Sequence, residues 1–302
     1  MKTINRAGLF LIITFAVSYG TAAVYYFVNG GRGSLLGFTL MAAAYMFIPL
    51  ISVLMVKKVH KERLFSDLLI SFKINRWFFA AWLIFPLAVF GTLCVSLLLP
   101  NITYNPEMTG MFGSHVSASA EEIETFKNQI AALPVSYIWI GLIQGLIAGI
   151  TINAAAAFGE EAGWRGFLLR EFKEMPFFKA ALIIGIIWGV WHAPLILMGH
   201  NYPQHPQIGV LMMTVFCILL TPIIQYVTIK AKSVIAAAIA HGTLNALAGF
   251  SIMLVSGGND LTTGLPGLPG FIVLLIVNGA IFVYDSYISK GKIMTNKMSG
   301  CF

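Results

Sequence analysis

Residues 208–229 read IGVLMMTVFCILLTPIIQYVTI, a run with no charged side chain that stops at Lys230-Ala231-Lys232. A helix of ~20 residues at about 1.5 Å per residue crosses the ~30 Å hydrocarbon core of a bilayer. Lipid offers no hydrogen-bond partners, so a run of this kind must pair its backbone internally, as an α-helix does. Working outward, seven further runs share the pattern, at roughly 8–28, 35–56, 77–99, 136–158, 180–199, 233–254 and 268–288. Composition agrees: 58% of the 302 residues are hydrophobic and 10% are charged, against roughly a quarter charged in ordinary soluble domains. Mean hydropathy is +0.83. The expected fold is all-α: a single polytopic membrane domain over 1–302 with about eight transmembrane helices. The first run follows Lys2 and Arg6 as a signal peptide would. Its length, the lack of a small-residue cleavage site and the similar runs behind it mark it as a retained span.

The net charge of +7 and the pI near 9.3 invite a nucleic-acid reading until the charges are placed. With both termini cytoplasmic, the inner segments hold Lys2, Arg6, Lys57, Lys58, Lys61, Arg63, Lys73, Arg76, Arg165, Arg170, Lys173 and Lys179. They also hold Lys230, Lys232, Lys290, Lys292 and Lys297, leaving only Arg32 and Lys127 outside, so 17 of 19 basic residues share one side. That asymmetry marks membrane orientation. The expected partner is therefore a lipid bilayer, with the chain a multi-pass protein of the cell membrane, and nucleic acid is not expected. Oligomeric state is not encoded in any pattern found. Cys94, Cys217 and Cys301 lie far apart, the first two within apolar runs, and read as small buried residues without disulfides.

The longest connection, 100–135, carries Glu107, Glu121, Glu122 and Glu124. Within it, 117–129 (SASAEEIETFKNQ) reads as a short helix with Ser119 and Glu122 as a capping box. Gly141, Gly145 and Gly149 recur every four residues, as do Gly185 and Gly189. Such rows let helix backbones approach closely in lipid. The stretch 261–270, LTTGLPGLPG, reads as a turn-rich loop.

Polar groups at membrane depth are costly, about 2.5–3.5 kcal/mol each for ionisable residues on insertion scales, and commonly functional. Three clusters stand out: 159–170 (GEEAGWRGFLLR), 188–194 (WGVWHAP) and 241–245 (HGTLN). Taken singly, each has a structural explanation. Two acids at a helix end can meet water, a buried histidine can satisfy the carbonyl freed by Pro194, and a His–Asn face can join helices. Taken together, a carboxylate, two imidazoles and an amide from three helices point to one convergent site. Glu161 and Arg165 stand in the favourable i,i+4 order for an ion pair, while Glu160 projects about 100° away. A carboxylate beside a neutral imidazole can take a proton from water, and a second imidazole with an amide can donate to a developing oxyanion. No nucleophilic serine pattern is present, so water-mediated amide hydrolysis is the natural reaction class. Glu160, His192 and His241 could alternatively hold Zn²⁺ with one position open for water, although the spacing is not that of the HExxH metalloproteases. Two other classes fit the same residues. One is a proton- or cation-coupled transporter, against which stands the lack of inverted repeats. The other is a non-catalytic binding or immunity protein with a protease-like shell.

The three clusters resemble the signature motifs of the CAAX protease and bacteriocin-processing family (CPBP, also called Abi) of intramembrane proteases. Glu160-Glu161-xxx-Arg165 matches its EExxxR motif, His192 the histidine of FxxxH, and His241-xxx-Asn245 its HxxxN/D motif. Trp188 stands where the family pattern has Phe. The resemblance covers roughly 136–255. It implies an endopeptidase cutting near the membrane surface, in eukaryotic relatives after a prenylated cysteine, with Glu160, His192, His241 and Asn245 catalytic. It implies supporting roles for Glu161 and Arg165, and leaves both a zinc cofactor and the peptide or protein substrate open.

Overall fold

The computed structural model describes residues 5–30, 34–116 and 118–301. Lys2, Arg32 and Ser117, used above, and the side chain of Cys301 lie outside the described residues. In chain order the helices are α1 (Arg6–Val28), α2 (Leu35–Met46), α3 (Ile48–Val59), α4 (Arg76–Ser96), α5 (Ala120–Ala131), α6 (Tyr137–Ile150) and α7 (Ile152–Glu161). A π-helical turn, Ala162–Leu168, joins α7 to α8 (Leu169–Glu171). Then follow α9 (Phe177–Trp191), α10 (Ala193–Leu197), α11 (Pro206–Ala231), α12 (Val234–Leu247), α13 (Phe250–Met253) and α14 (Leu268–Val283). A short antiparallel ribbon pairs β1 (Thr103–Tyr104) with β2 (Val255–Ser256).

Among the described residues six helices are long and apolar enough to cross a membrane, seven if α6 and α7–α8 count as one bent span. The fifth expected run, 180–199, is instead a 15-residue helix, α9, continued by α10 after a break at His192. Pro194 explains the break: its ring removes a backbone donor and disfavours a continuous helix. The fourth expected span is broken too, by a 44° bend between Ile150 and Ile152. There the Thr151 hydroxyl donates to the Ile147 carbonyl at 2.7 Å, a back-bond of the kind that bends helices.

The glycine rows do what their spacing implies. Gly141, Gly145 and Gly149 face Phe250, Leu247 and Thr243, so α6 lies directly on α12–α13. A Cβ on Gly149 would sit 2.5 Å from Thr243 Oγ1, and one on Gly242 would sit 2.5 Å from the Ala154 backbone nitrogen. Gly185 and Gly189 likewise bring α9 onto the backbone of α11 at Ile218 and Thr214. Cys217 is buried as expected, whereas Cys94 is exposed on the outer face of α4, because its position on the helix faces away from the core. The capping box of α5 is present, with Ser119 and Glu122 exchanging hydrogen bonds.

The loops sort to two ends. At one, Arg6 pairs with Glu62 and Glu171, the Asn75 amide donates to the Ala231 carbonyl, and Phe177 N–H donates to Asn296 O. The segments expected to carry the inner basic charge therefore gather together with both ends of the described chain. At the other end, Asp260 accepts from the backbone of Gln204 and His205, and Asn105 N–H donates to Leu254 O.

Candidate active site

The site is built where α7 runs into the π turn. Gly159 sits against the backbone of Met46 and Phe47, Gly163 against Pro49, and Gly166 against the Leu68 carbonyl. A side chain at Gly159 or Gly163 would push this segment off the α2–α3 corner, and one at Gly166 would press on the loop after α3 at Leu68. The glycines of 159–166 thus set how deep the two acids lie: Glu160, Glu161 and Arg165 are each at most 2% exposed. A π turn widens the helix by one residue, and such turns recur at functional sites.

The adjacent carboxylates take separate partners. Glu161 Oε1 accepts from Arg165 Nη1 at 3.0 Å and meets His241 Nδ1 at 2.8 Å. Arg165 also donates from Nη2 to Thr221 Oγ1 at 3.2 Å and lies 4.4 Å above the Trp188 ring. Glu160 Oε2 instead accepts the Trp188 indole N–H at 2.7 Å. His192 Nδ1 is 2.8 Å from the Trp188 carbonyl. A carbonyl can only accept, so Nδ1 carries the proton and Nε2 presents its lone pair. Trp188 therefore holds both groups of the first pair, Glu160 through its side chain and His192 through its backbone.

Around this core stand Trp164, Trp188 and Trp191, all buried. Trp191 donates to Ser18 Oγ at 2.8 Å, and Tyr45 donates to the Trp191 carbonyl at 2.8 Å, which ties α9 to α1 and α2. Glu161 Oε2 and Arg165 Nε are buried without a protein hydrogen bond.

The structure brings Glu160, Glu161, Arg165 and His241, all buried, together with the half-buried His192 through α7, the π turn, α9 and α12. Asn245 lies one turn beyond His241 on the same helix and is exposed. Among the described residues no three His, Cys, Asp or Glu side chains are grouped to hold a metal ion. Sequence reasoning missed Thr221 and the donor role of the Trp188 indole. A threonine ahead of Pro222 in an otherwise apolar run was the available signal for the first; nothing in the spacing announces the second.

Residues 134–247 match the family described as Type II CAAX prenyl endopeptidase Rce1-like. A curated relative, CAAX prenyl protease 2 of Methanococcus maripaludis, is 31% identical over 140 residues, which cover 43% of this chain and 47% of the relative. The chain thus spans about half the length of that relative. All six site residues fall inside the matched segment. The stretch 134–247 is thus similar to Type II CAAX prenyl endopeptidases of the Rce1-like kind, in line with the resemblance its motifs carry.

Proposed function

We propose that this protein is an intramembrane endopeptidase that hydrolyses a peptide bond of a membrane-associated peptide or protein, prenylated or a precursor, with water activated by Glu160 and His192. The observation that carries the reading is the double hold of Trp188, whose indole N–H binds the Glu160 carboxylate and whose carbonyl binds His192 Nδ1, leaving Nε2 to present its lone pair. Glu160 takes the proton of the attacking water while His192 Nε2 accepts its second hydrogen bond and orients it. The oxyanion that develops on the scissile carbonyl is met by His241 Nε2 and the Asn245 amide. To donate from Nε2 while Nδ1 faces Glu161, His241 must carry both ring protons. In that state Glu160, Glu161, Arg165 and His241 sum to zero charge, the condition under which buried ionised groups are tolerated. Glu160 then returns its proton to the leaving amine. Glu161 and Arg165 hold His241 and the π turn in place and touch no reacting atom.

In this reading residues 136–255 form the catalytic core of a single membrane domain, and the basic end of the bundle is cytoplasmic. The test compares peptides released from membranes expressing the wild type or Glu160→Gln, by mass spectrometry of new termini. Termini found only with the wild type support proteolysis. Identical sets of new termini from both remove Glu160 from the role, and ion flux in vesicles without cleavage favours transport.

A further inference from the structure

At the basic end of the bundle, apart from the buried acids, lies a cavity of about 280 Å³. Its wall carries four cations, Arg6, Lys57, Arg170 and Lys173, and two carboxylates, Asp67 and Glu171. A third carboxylate, Glu62, reaches in from the loop after α3. A single oxygen, Glu62 Oε2, serves both Arg6 Nη2 at 3.1 Å and Lys57 Nζ at 3.3 Å. Lys57 is 1% exposed, and its other hydrogen bond, to Ser66 Oγ, is 3.4 Å long. Arg6 Nε is buried and meets no acceptor. Arg170 is 3.6 Å from Asp67, and Lys173 stands exposed at the rim.

Arg6, which also reaches Glu171 Oε1 at 3.4 Å, shares one Glu62 oxygen with the buried Lys57, in a wall of four cations and two carboxylates. A buried ammonium with long hydrogen bonds and a guanidinium N–H without an acceptor both call for an oxyanion with several lone pairs. Arginine forks and lysine point charges together suit a tetrahedral phosphate. The aromatic floor of the cavity, Phe167, lies under the Arg6 guanidinium at 5.4 Å and belongs to the π turn two residues past Arg165.

We propose that this cavity binds a phosphate group, either a free phosphate or the phosphodiester of an anionic lipid headgroup. It lies at an end of the spans, at headgroup level for a bundle of this kind, and anionic lipid attracts such basic clusters. The site is separate from the proposed catalytic residues, and its test does not depend on cleavage.

The test uses the full chain in detergent and follows thermal unfolding. One arm adds sodium phosphate against sodium chloride at matched ionic strength; the other adds phosphatidylglycerol against phosphatidylcholine. Lys57 is too buried to change safely, so the variant is the rim double substitution Arg170→Gln with Lys173→Gln. The wild type is expected to be stabilised, with an apparent Kd weakened about tenfold or more per removed cation in the variant. Stabilisation by phosphatidylglycerol but not inorganic phosphate identifies the headgroup, and stabilisation by both identifies the phosphate itself. No stabilisation of the wild type in either arm, or equal stabilisation of wild type and variant, overturns the proposal.

Discussion

Glu160 and Glu161 are neighbours in the chain, yet the structure assigns them opposite sensitivities to the same substitution. Glu161→Gln preserves shape but replaces a carboxylate that accepts from Arg165 at 3.0 Å and faces His241 at 2.8 Å, both fully buried. Each hydrogen bond to a charged group is worth about 1.5–3 kcal/mol. Removing one partner of a buried ion pair costs about 3–5 kcal/mol, because the other charge is left uncompensated. At roughly 2–4 °C per kcal/mol, the melting temperature should fall by about 10 °C. Glu160→Gln keeps an oxygen that can accept the Trp188 indole N–H, so its stability cost is about 1 kcal/mol, the difference between a charged and a neutral acceptor. Its turnover should fall by about 10²–10⁴-fold, as expected for a lost general base. Thermal unfolding in detergent reads the first effect, and counts of new peptide termini per unit of folded protein read the second. A Glu161→Gln protein that melts like the wild type, or a Glu160→Gln protein with near-normal turnover, refutes the division of roles.

Three further outcomes follow from the same geometry. Asn245→Ala, at an exposed position, should leave the melting temperature unchanged and lower kcat by about 10²–10³-fold, with KM little altered, if the amide meets the oxyanion; equal kcat would place the amide outside the reaction. Gly242→Ala would put a Cβ 2.5 Å from the Ala154 nitrogen and 2.6 Å from the Gly149 carbonyl. Neither backbone atom can move aside alone, so a loss of about 1–3 kcal/mol or more is expected, visible as a lowered melting temperature. Outside the membrane, hydrogen bonds from the Ser119 backbone and then its side chain hold the Glu122 carboxyl below its ordinary value of 4.5. The ionised form is the one favoured in the folded cap, so its contribution is complete above that ordinary value and is lost as pH falls through the lowered one. The protection factors of the 120–131 amides, taken relative to intrinsic exchange at each pH, should therefore fall on acidification in the wild type, and Glu122→Gln should remove that fall.

Much of the architecture was legible because membrane length and charge asymmetry are local properties of the chain. Uncharged runs such as 208–229 had to become helices whatever they packed against, and the glycine rows already implied which faces would meet closely. What the runs could not reveal was where they break. Thr151 bends its helix through a back-bond that threonines elsewhere make without a break, as Thr228 does to Ile224. His192 interrupts α9 only in combination with Pro194 and the packing of Trp191 against Tyr45.

The candidate site divides in the same way. Motif spacing was enough to select Glu160, Glu161, Arg165, His192, His241 and Asn245 and to pair Glu161 with Arg165, because an i,i+4 neighbour on a helix is fixed by helix geometry. The partnership of Glu161 with His241 spans 80 positions in the chain, and that of Glu160 with Trp188 spans 28. These depend on how steeply α7, α9 and α12 cross, which Gly149, Gly242 and the three glycines of 159–166 decide through backbone contact. Sequence alone thus determined a helical membrane bundle and the chemical types at its polar heart. Only the tertiary structure decided which carboxylate faces which histidine, because that choice is made by inter-helix approach and not by any property of a single helix.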